Sequence, residues 1–353
     1  MIKKINQCKM NRKYFLGTFF SSMITPSLFG KSKFKNIDFI NDELLIAQQP
    51  PYLKNGDIIA IVSPAGYISL EDVQPSIKKL EEWGYKVVIG NSIGKKDFTF
   101  GGTDEERLQD FQSMLDNNEV KAILCARGGY GIIRIIDQIN FNNFSRFPKW
   151  IIGFSDATIL HCHVNRNCRV ATVHSKMCNS FLLDWDAAED VQKNSIYSIH
   201  ETLSGKKIVY DVKSNQSNRI GKCTGELIGG NLRCIENLSG TKSEIQTRNK
   251  ILFLEDTDEY LYNIDRMLWN LKRAGKLSAL KGLIIGGFKI KKDDEGEEFG
   301  KTLEEIVMEK VKTYHYPVCF DFPVGHQKNN MALQCGTIHT LEVEAETVRL
   351  YNV

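Results

Sequence analysis

The 353-residue sequence lacks a marked excess of either charge: 46 basic residues stand against 43 acidic ones, a net charge of +3. Such a balance supplies no basic field for nucleic acid or an anionic membrane surface, so no nucleic-acid partner is expected. Paired cysteine spacing is also missing. The nine cysteines are scattered, and several, such as Cys125 and Cys319, sit in apolar runs where a free thiol acts as a small buried hydrophobe. They outline no disulfide framework. There is no internal repeat and no long low-complexity tract. The glycine-rich turn at 127–131 is not a G-x-G-x-x-G fingerprint and no Walker lysine pattern occurs, which removes two common phosphate cradles. The uncharged apolar stretch at 14–30 is too short and too rich in Ser and Thr for a comfortable membrane span.

What is present is an ordinary globular composition, 42% hydrophobic and 25% charged, on a chain long enough for about two domains. Lys3, Lys4, Lys9, Arg12 and Lys13 precede the apolar stretch, which is the layout of an export signal. N-R-K-Y-F-L resembles a loose twin-arginine signal with Lys13 in place of the second arginine. Residues 1–30 are therefore expected to be a leader, and the mature chain is expected in the periplasm with no stable membrane span. If the leader is not a signal, the address is cytoplasmic. Residues 31–55 read as a polar connector, with folding expected from Gly56.

From Gly56 the pattern alternates. Residues 57–63, DIIAIVS, form a β-branched run closed by the turn Pro64-Ala65-Gly66. Leu70, Val73, Ile77, Leu80 and Trp83 then recur at helical spacing and stop at Gly84, a C-terminal cap; Pro75 leaves the start of that helix open. A second strand is expected at 86–89, and a helix at 103–115 with Thr103 and Glu106 as a capping box. A third strand (121–126), a helix (130–139) and a fourth strand (150–153) follow. Strands alternating with helices imply a mostly parallel sheet covered on both faces, with ligands gathering beyond the C-terminal strand ends. This places an N-terminal α/β domain at 56–183. The pattern breaks up and turns polar over 184–218, read as the crossing between domains. A C-terminal domain at 219–353 then shows strands at 251–255 and 283–288, helices at 260–274 and 303–311, and a closing hairpin at 340–343 and 347–351.

The chain is organised around KWIIGFSDATILHCHVN, residues 149–165. An apolar strand ends at Gly153 and a helical pattern begins just after Ser155. A serine on such a tight turn is lifted clear of the sheet, and the N–H of Asp156 lies at a helix N-terminus, where developing negative charge is favoured. G-F-S-D-A shares Gly-x-Ser with the hydrolase elbow but has Ala157 in place of the second glycine, and a serine N-cap would give the same letters. A serine nucleophile needs a base, and the base an orienting group. His174, after a strand-like run, and His326, in the loop D-F-P-V-G-H-Q, are the histidines placed at such ends. His161 and His163, with Cys162 and Cys168, superficially resemble a metal cluster, but i,i+2 residues do not share a helix face, and no metal is expected. Glu255 ends the apolar strand I-L-F-L-E, where a carboxylate can reach a loop histidine. The turn R-G-G-Y-G lets backbone approach a ligand closely and offers N–H groups near Gly128 as a second oxyanion donor.

Taken in order, GDIIAIVSPAG, GGTDEERLQDF, RGGYG, GFSDAT, LIGGNL, LFLEDTDEYLYNIDRMLWNL and the final P-V-G-H resemble the LD-carboxypeptidase family of serine peptidases, which includes the microcin C self-immunity peptidases. The resemblance implies an amidotransferase-like parallel-sheet α/β domain followed by a swivelling β/α domain, usually as a homodimer. It implies a triad of Ser155, Glu255 and His326, with an oxyanion hole from backbone N–H groups near Gly128 and at Asp156, and no cofactor. The implied reaction is release of D-alanine from a murein tetrapeptide. The alternatives are cleavage of peptidyl or aminoacyl nucleotides, with Trp185 stacking on the base, and a non-catalytic peptidoglycan binder. Arg127, Lys176 and Arg233 are the cations expected to meet a substrate carboxylate. One departure stands out: His174-Ser175-Lys176-Met177 stands where family members commonly have H-G-P-M, which bears on the substrate pocket.

Overall fold

The structure, a computed structural model, describes residues 47–353. Residues 1–30, expected as a leader, and residues 31–46 of the expected connector lie outside the described residues. In chain order the strands are β1 (Ile58–Val62), β2 (Lys86–Ile89), β3 (Val120–Cys125), β4 (Trp150–Gly153), β5 (Thr172–His174), β6 (Val209–Lys213), β7 (Gly221–Asn231), β8 (Lys250–Glu259), β9 (Gly282–Ile290), β10 (Val318–Cys319), β11 (Leu333–Cys335), β12 (Ile338–Val343) and β13 (Thr347–Asn352). They form two sheets. The first runs β11-β5-β4-β3-β1-β2 and the second β10-β9-β8-β7-β12-β13-β6. In the first, β1 to β5 are parallel and only the edge strand β11 is antiparallel. The second is parallel from β10 to β7 and antiparallel from β7 to β6.

The helices form where local chemistry dictates. Ser69 and Asp72 make a capping box that starts helix Leu70–Glu82, and Thr103 with Glu106 does the same for Asp104–Asp116, each satisfying two otherwise unpaired N–H groups. The first helix tolerates Pro75 in its interior, at the cost of one main-chain hydrogen bond, and the chain leaves it through Gly84 at φ +88°. Central strands β1, β3 and β4 read as continuous apolar runs because both faces are covered: Ile59, Ile61, Ile123, Leu124, Ile151 and Ile152 are all buried. Each such side chain contributes about 1.5–3 kcal/mol when removed from water. One core cluster runs through both halves, joining Ile151 and Leu160 of the first to Ile228, Leu252 and Ile264 of the second.

Three features depart from the sequence reading. The packed fold begins before Gly56: Leu53 is buried and donates its N–H to the Leu203 carbonyl at 2.8 Å, while Trp150 donates to the Pro51 carbonyl and stacks on Tyr52. The polar stretch expected as a crossing contains helix Asp190–Leu203, whose Ile196, Ile199 and Leu203 pack on the first sheet. Its stripe is narrow, so the pattern reads as polar. Finally, β11 returns from the C-terminal part to edge the first sheet. Ser195 and Ser198 of that helix steer it there, accepting from the N–H groups of Asn330 and Ala332, each at 2.9 Å.

Candidate active site

Strand β4 delivers the elbow. Gly153 ends the strand, Ser155 takes φ +60°, and the chain turns through Ser155–Ala157 into helix Thr158–Asn167. A non-glycine residue in the left-handed region costs of order 1–3 kcal/mol and persists only where its surroundings enforce it. Here the neighbouring loops do so. Asp156 is buried and its carboxylate accepts from the Ile132 N–H at 2.8 Å, tying the elbow to the turn after β3. Burial raises the Asp156 pKa to about 6 against the lowering pull of that hydrogen bond and of Arg107. Gly128 packs directly on Ser155: a Cβ there would lie 2.9 Å from Ser155 Cβ and 3.1 Å from its Oγ. The N–H of Asp156 belongs to the first helical turn, where no preceding carbonyl of the helix accepts it.

Arg107 holds these loops in place, a role the sequence reading did not assign although the residue stands in GGTDEERLQDF. Its guanidinium is fully buried, donates to the carbonyls of Pro64, Gly102 and Gly131, and pairs with Asp104. Asp104 in turn takes Arg134 at 2.8 Å. Three loops at the C-terminal end of the first sheet are thus fastened to one cation. The five fixed donors of an arginine suit that task. A buried arginine is invisible in a hydrophobic pattern; its trace in the sequence is its position on the helix face of Phe111 and Leu115.

The second sheet brings the acid and the imidazole. Glu255, near the middle of β8, is buried with 0% exposure, and its Oε2 lies 2.5 Å from His326 Nδ1. A carboxylate accepts, so Nδ1 carries the proton of this bond and Nε2 of a neutral ring is left as the basic nitrogen. The close approach needs glycine at 325: φ is +102° and a Cβ would meet Glu255 Cβ at 2.4 Å. Asn330 accepts from the Gly325 N–H at 2.9 Å and fixes the loop. Phe154, the residue before the serine, packs against His326 with ring centroids 4.9 Å apart. Thus the elbow of one sheet and the imidazole of the other meet through a buried aromatic. Among the described residues no hydrogen bond joins Ser155 to His326; such bonds commonly tighten only when substrate is bound.

The remaining residues singled out from the sequence fall in different places. His174 is fully buried between Phe154, Phe253 and His161, with neither ring nitrogen hydrogen-bonded, and burial holds its pKa well below the usual histidine range. It supports the cleft from behind. His161 donates to the Gly153 carbonyl at 2.9 Å and His163 bonds Ser243 at 2.8 Å. Lys176 donates to the carbonyl of Gln327, next to His326, at 2.8 Å. Arg127 is exposed and donates to the Tyr67 carbonyl, and Arg233 pairs with Glu259 at 2.9 Å. Trp185 is not brought to His326; it lies under the Lys79 ammonium, 3.9 Å from the ring centre, and against Tyr197. Beside Glu255, Asp256 accepts from Asn231 at 2.8 Å and from the Arg233 N–H at 3.0 Å, with burial raising its pKa to about 6.

The fold is a mixed α/β architecture built on two sheets. Residues 59–175 match the LD-carboxypeptidase N-terminal domain and residues 224–341 the LD-carboxypeptidase C-terminal domain, and the chain belongs to the LD-carboxypeptidase family of peptidases. It is 31% identical over 301 residues to the probable murein peptide carboxypeptidase of Bacillus subtilis, covering 85% of this chain and 93% of that one. A muramoyltetrapeptide carboxypeptidase from Oxalobacter formigenes superposes with a TM-score of 0.73 at 26% identity, over 84% of this chain and 98% of that chain. MccF in complex with glutamyl sulfamoyl guanosine shares the fold with a TM-score of 0.75 at 20% identity, over 88% and 99% of the two chains.

Proposed function

We propose that the protein is a serine carboxypeptidase that hydrolyses an amide bond next to a terminal carboxylate, with a murein tetrapeptide as substrate and D-alanine as the released product. The observation that carries this reading is the buried Glu255–His326 pair packed through Phe154 against a serine held at positive φ. His326 Nε2 takes the proton of Ser155 Oγ as the oxygen attacks the scissile carbonyl carbon. The resulting oxyanion is received by backbone N–H groups at Gly128 and Asp156, and Glu255 stabilises the imidazolium. The imidazolium then gives its proton to the leaving amine, the C–N bond breaks, and D-alanine departs. Water, deprotonated by the same nitrogen, attacks the acyl-serine ester; as the ester C–O bond breaks the imidazolium returns the proton to Ser155 Oγ, and the shortened peptide is freed. The names of the Bacillus and Oxalobacter relatives support the substrate class. Incubating the purified chain with murein tetrapeptide and, in parallel, with an aminoacyl sulfamoyl adenylate tests it by mass spectrometry. Loss of one alanine from the tetrapeptide is expected; cleavage of the adenylate alone would turn the reading to the nucleotide class.

A further inference from the structure

Lys176 is a cation without a counter-charge in a place where one would be useful. It follows β5 by two residues, and the Ser175 N–H donates to the Gly153 carbonyl at 3.1 Å, so the segment runs alongside the strand end that carries Ser155. Its ammonium reaches across to the other half and donates to the carbonyl of Gln327, the neighbour of His326. Among the described residues no carboxylate lies within ion-pair distance of it, although most other half-buried basic groups of the chain have one: Lys250 and Arg169 on Glu226, Lys276 on Glu244. Burial disfavours its charge, holding its pKa below the ordinary lysine value. A part-buried ammonium with a single carbonyl partner keeps two N–H donors for something else and gains most from an anion, because attraction between opposite charges is stronger away from bulk water. The other two cations near the strand ends are less suited. Arg233 is already neutralised by Glu259, and Arg127 is exposed, where water screens it.

We infer that Lys176 is the specificity-determining anchor for a carboxylate of the substrate, bridging the elbow side and the His326 loop when the substrate is bound. This rests on the carboxypeptidase reading above and deepens it by naming the residue that makes a free carboxylate a requirement. One N–H of Lys176 stays on the Gln327 carbonyl, which keeps the His326 loop in register, while the others meet the carboxylate.

The test uses the full chain and two tetrapeptides that differ only at the C-terminus, free acid and amide. Turnover is measured on the unsubstituted protein, Lys176→Gln, which retains a donor for Gln327 without the charge, and Lys176→Arg. The unsubstituted chain should prefer the acid by about 10- to 100-fold in kcat/KM, the worth of one hydrogen bond to a charged group. Lys176→Gln should collapse that ratio toward one, chiefly through KM for the acid, and Lys176→Arg should restore part of it. A merely structural lysine would lower both substrates together and leave the ratio unchanged. Calorimetric titration of both peptides into Ser155→Ala, with and without Lys176→Gln, reads the same preference without turnover. An acid preference that survives Lys176→Gln in both measurements overturns the anchor and leaves the carboxypeptidase reading standing. An unsubstituted chain that cleaves the amide as readily as the acid overturns both.

Discussion

The two halves of the candidate active site are held by different physics. On the elbow side, Ser155 is fixed by backbone: a positive φ, a glycine pressed against its side chain, a carboxylate clamping Asp156 to the next loop, and a buried arginine on three carbonyls. On the other side, His326 is fixed by one short hydrogen bond to a buried carboxylate whose second oxygen, Oε1, has no partner among the described residues. The first arrangement is built from backbone conformation and close packing, and an added Cβ at Gly128 would meet Ser155. The second hangs on one polar contact: the buried Glu255 carboxylate accepts from the imidazole N–H. Geometry should therefore be the sensitive property on one side and charge on the other.

Glu255→Gln is the sharpest way to break the electrostatic side. It preserves shape but removes the charge and turns one acceptor oxygen into an NH2 donor, so the imidazole tautomer is no longer dictated, and kcat should fall by up to about 10⁴-fold, with melting temperature little changed. A modest loss of activity would mean that another acid orients His326. Gly128→Ala probes the geometric side. The new methyl would crowd Ser155 Oγ, and displacing a reacting atom by a fraction of an ångström to one ångström costs on the order of 10²-fold in rate; stopped assays on the folded variant would read it. If Gly128→Ala retains full kcat, the loop does not confine the nucleophile. Glu259→Gln is the control that separates the two glutamates of β8. Glu259 accepts from Arg233 and from Asn263 at the start of helix Leu261–Arg273. Its loss should cost only about 0.3–1 kcal/mol by chemical denaturation, as an exposed ion pair near a helix terminus does, and should leave kcat alone. Exchange of the Glu255 and Glu259 phenotypes would reassign the acid.

The elbow side was more legible in the sequence than its partner. Gly153, Ser155 and Asp156 lie within four consecutive residues, and the change from an apolar run to a helical period marks the turn directly. The capping box of Thr103 with Glu106 and the helix at Leu303–Val311 were readable for the same reason, since their causes lie within four residues. Glu255 could be placed at a strand and His326 in a loop, but choosing them from among other acids and histidines required the order of motifs along the whole chain. The contacts that unite the site span long separations: Phe154 with His326, Arg107 with Pro64 and Gly131, Gly325 with Glu255. No local periodicity encodes such pairs. The helix Asp190–Leu203 was hidden because only three of its residues make the buried apolar stripe, while serines on the same face serve as hydrogen-bond acceptors for the return of β11.

The central claim, that both halves converge on one serine, is tested most directly by Ser155→Ala. Alanine removes a single oxygen and changes nothing that Gly128, Asp156 or Phe154 contact through the backbone. The measurement is D-alanine release from murein tetrapeptide, made beside a titration of the same peptide to show that the site still binds. The account predicts tetrapeptide binding close to that of the unsubstituted chain with nearly all turnover lost. Hydrolysis by Ser155→Ala at an undiminished rate would contradict it.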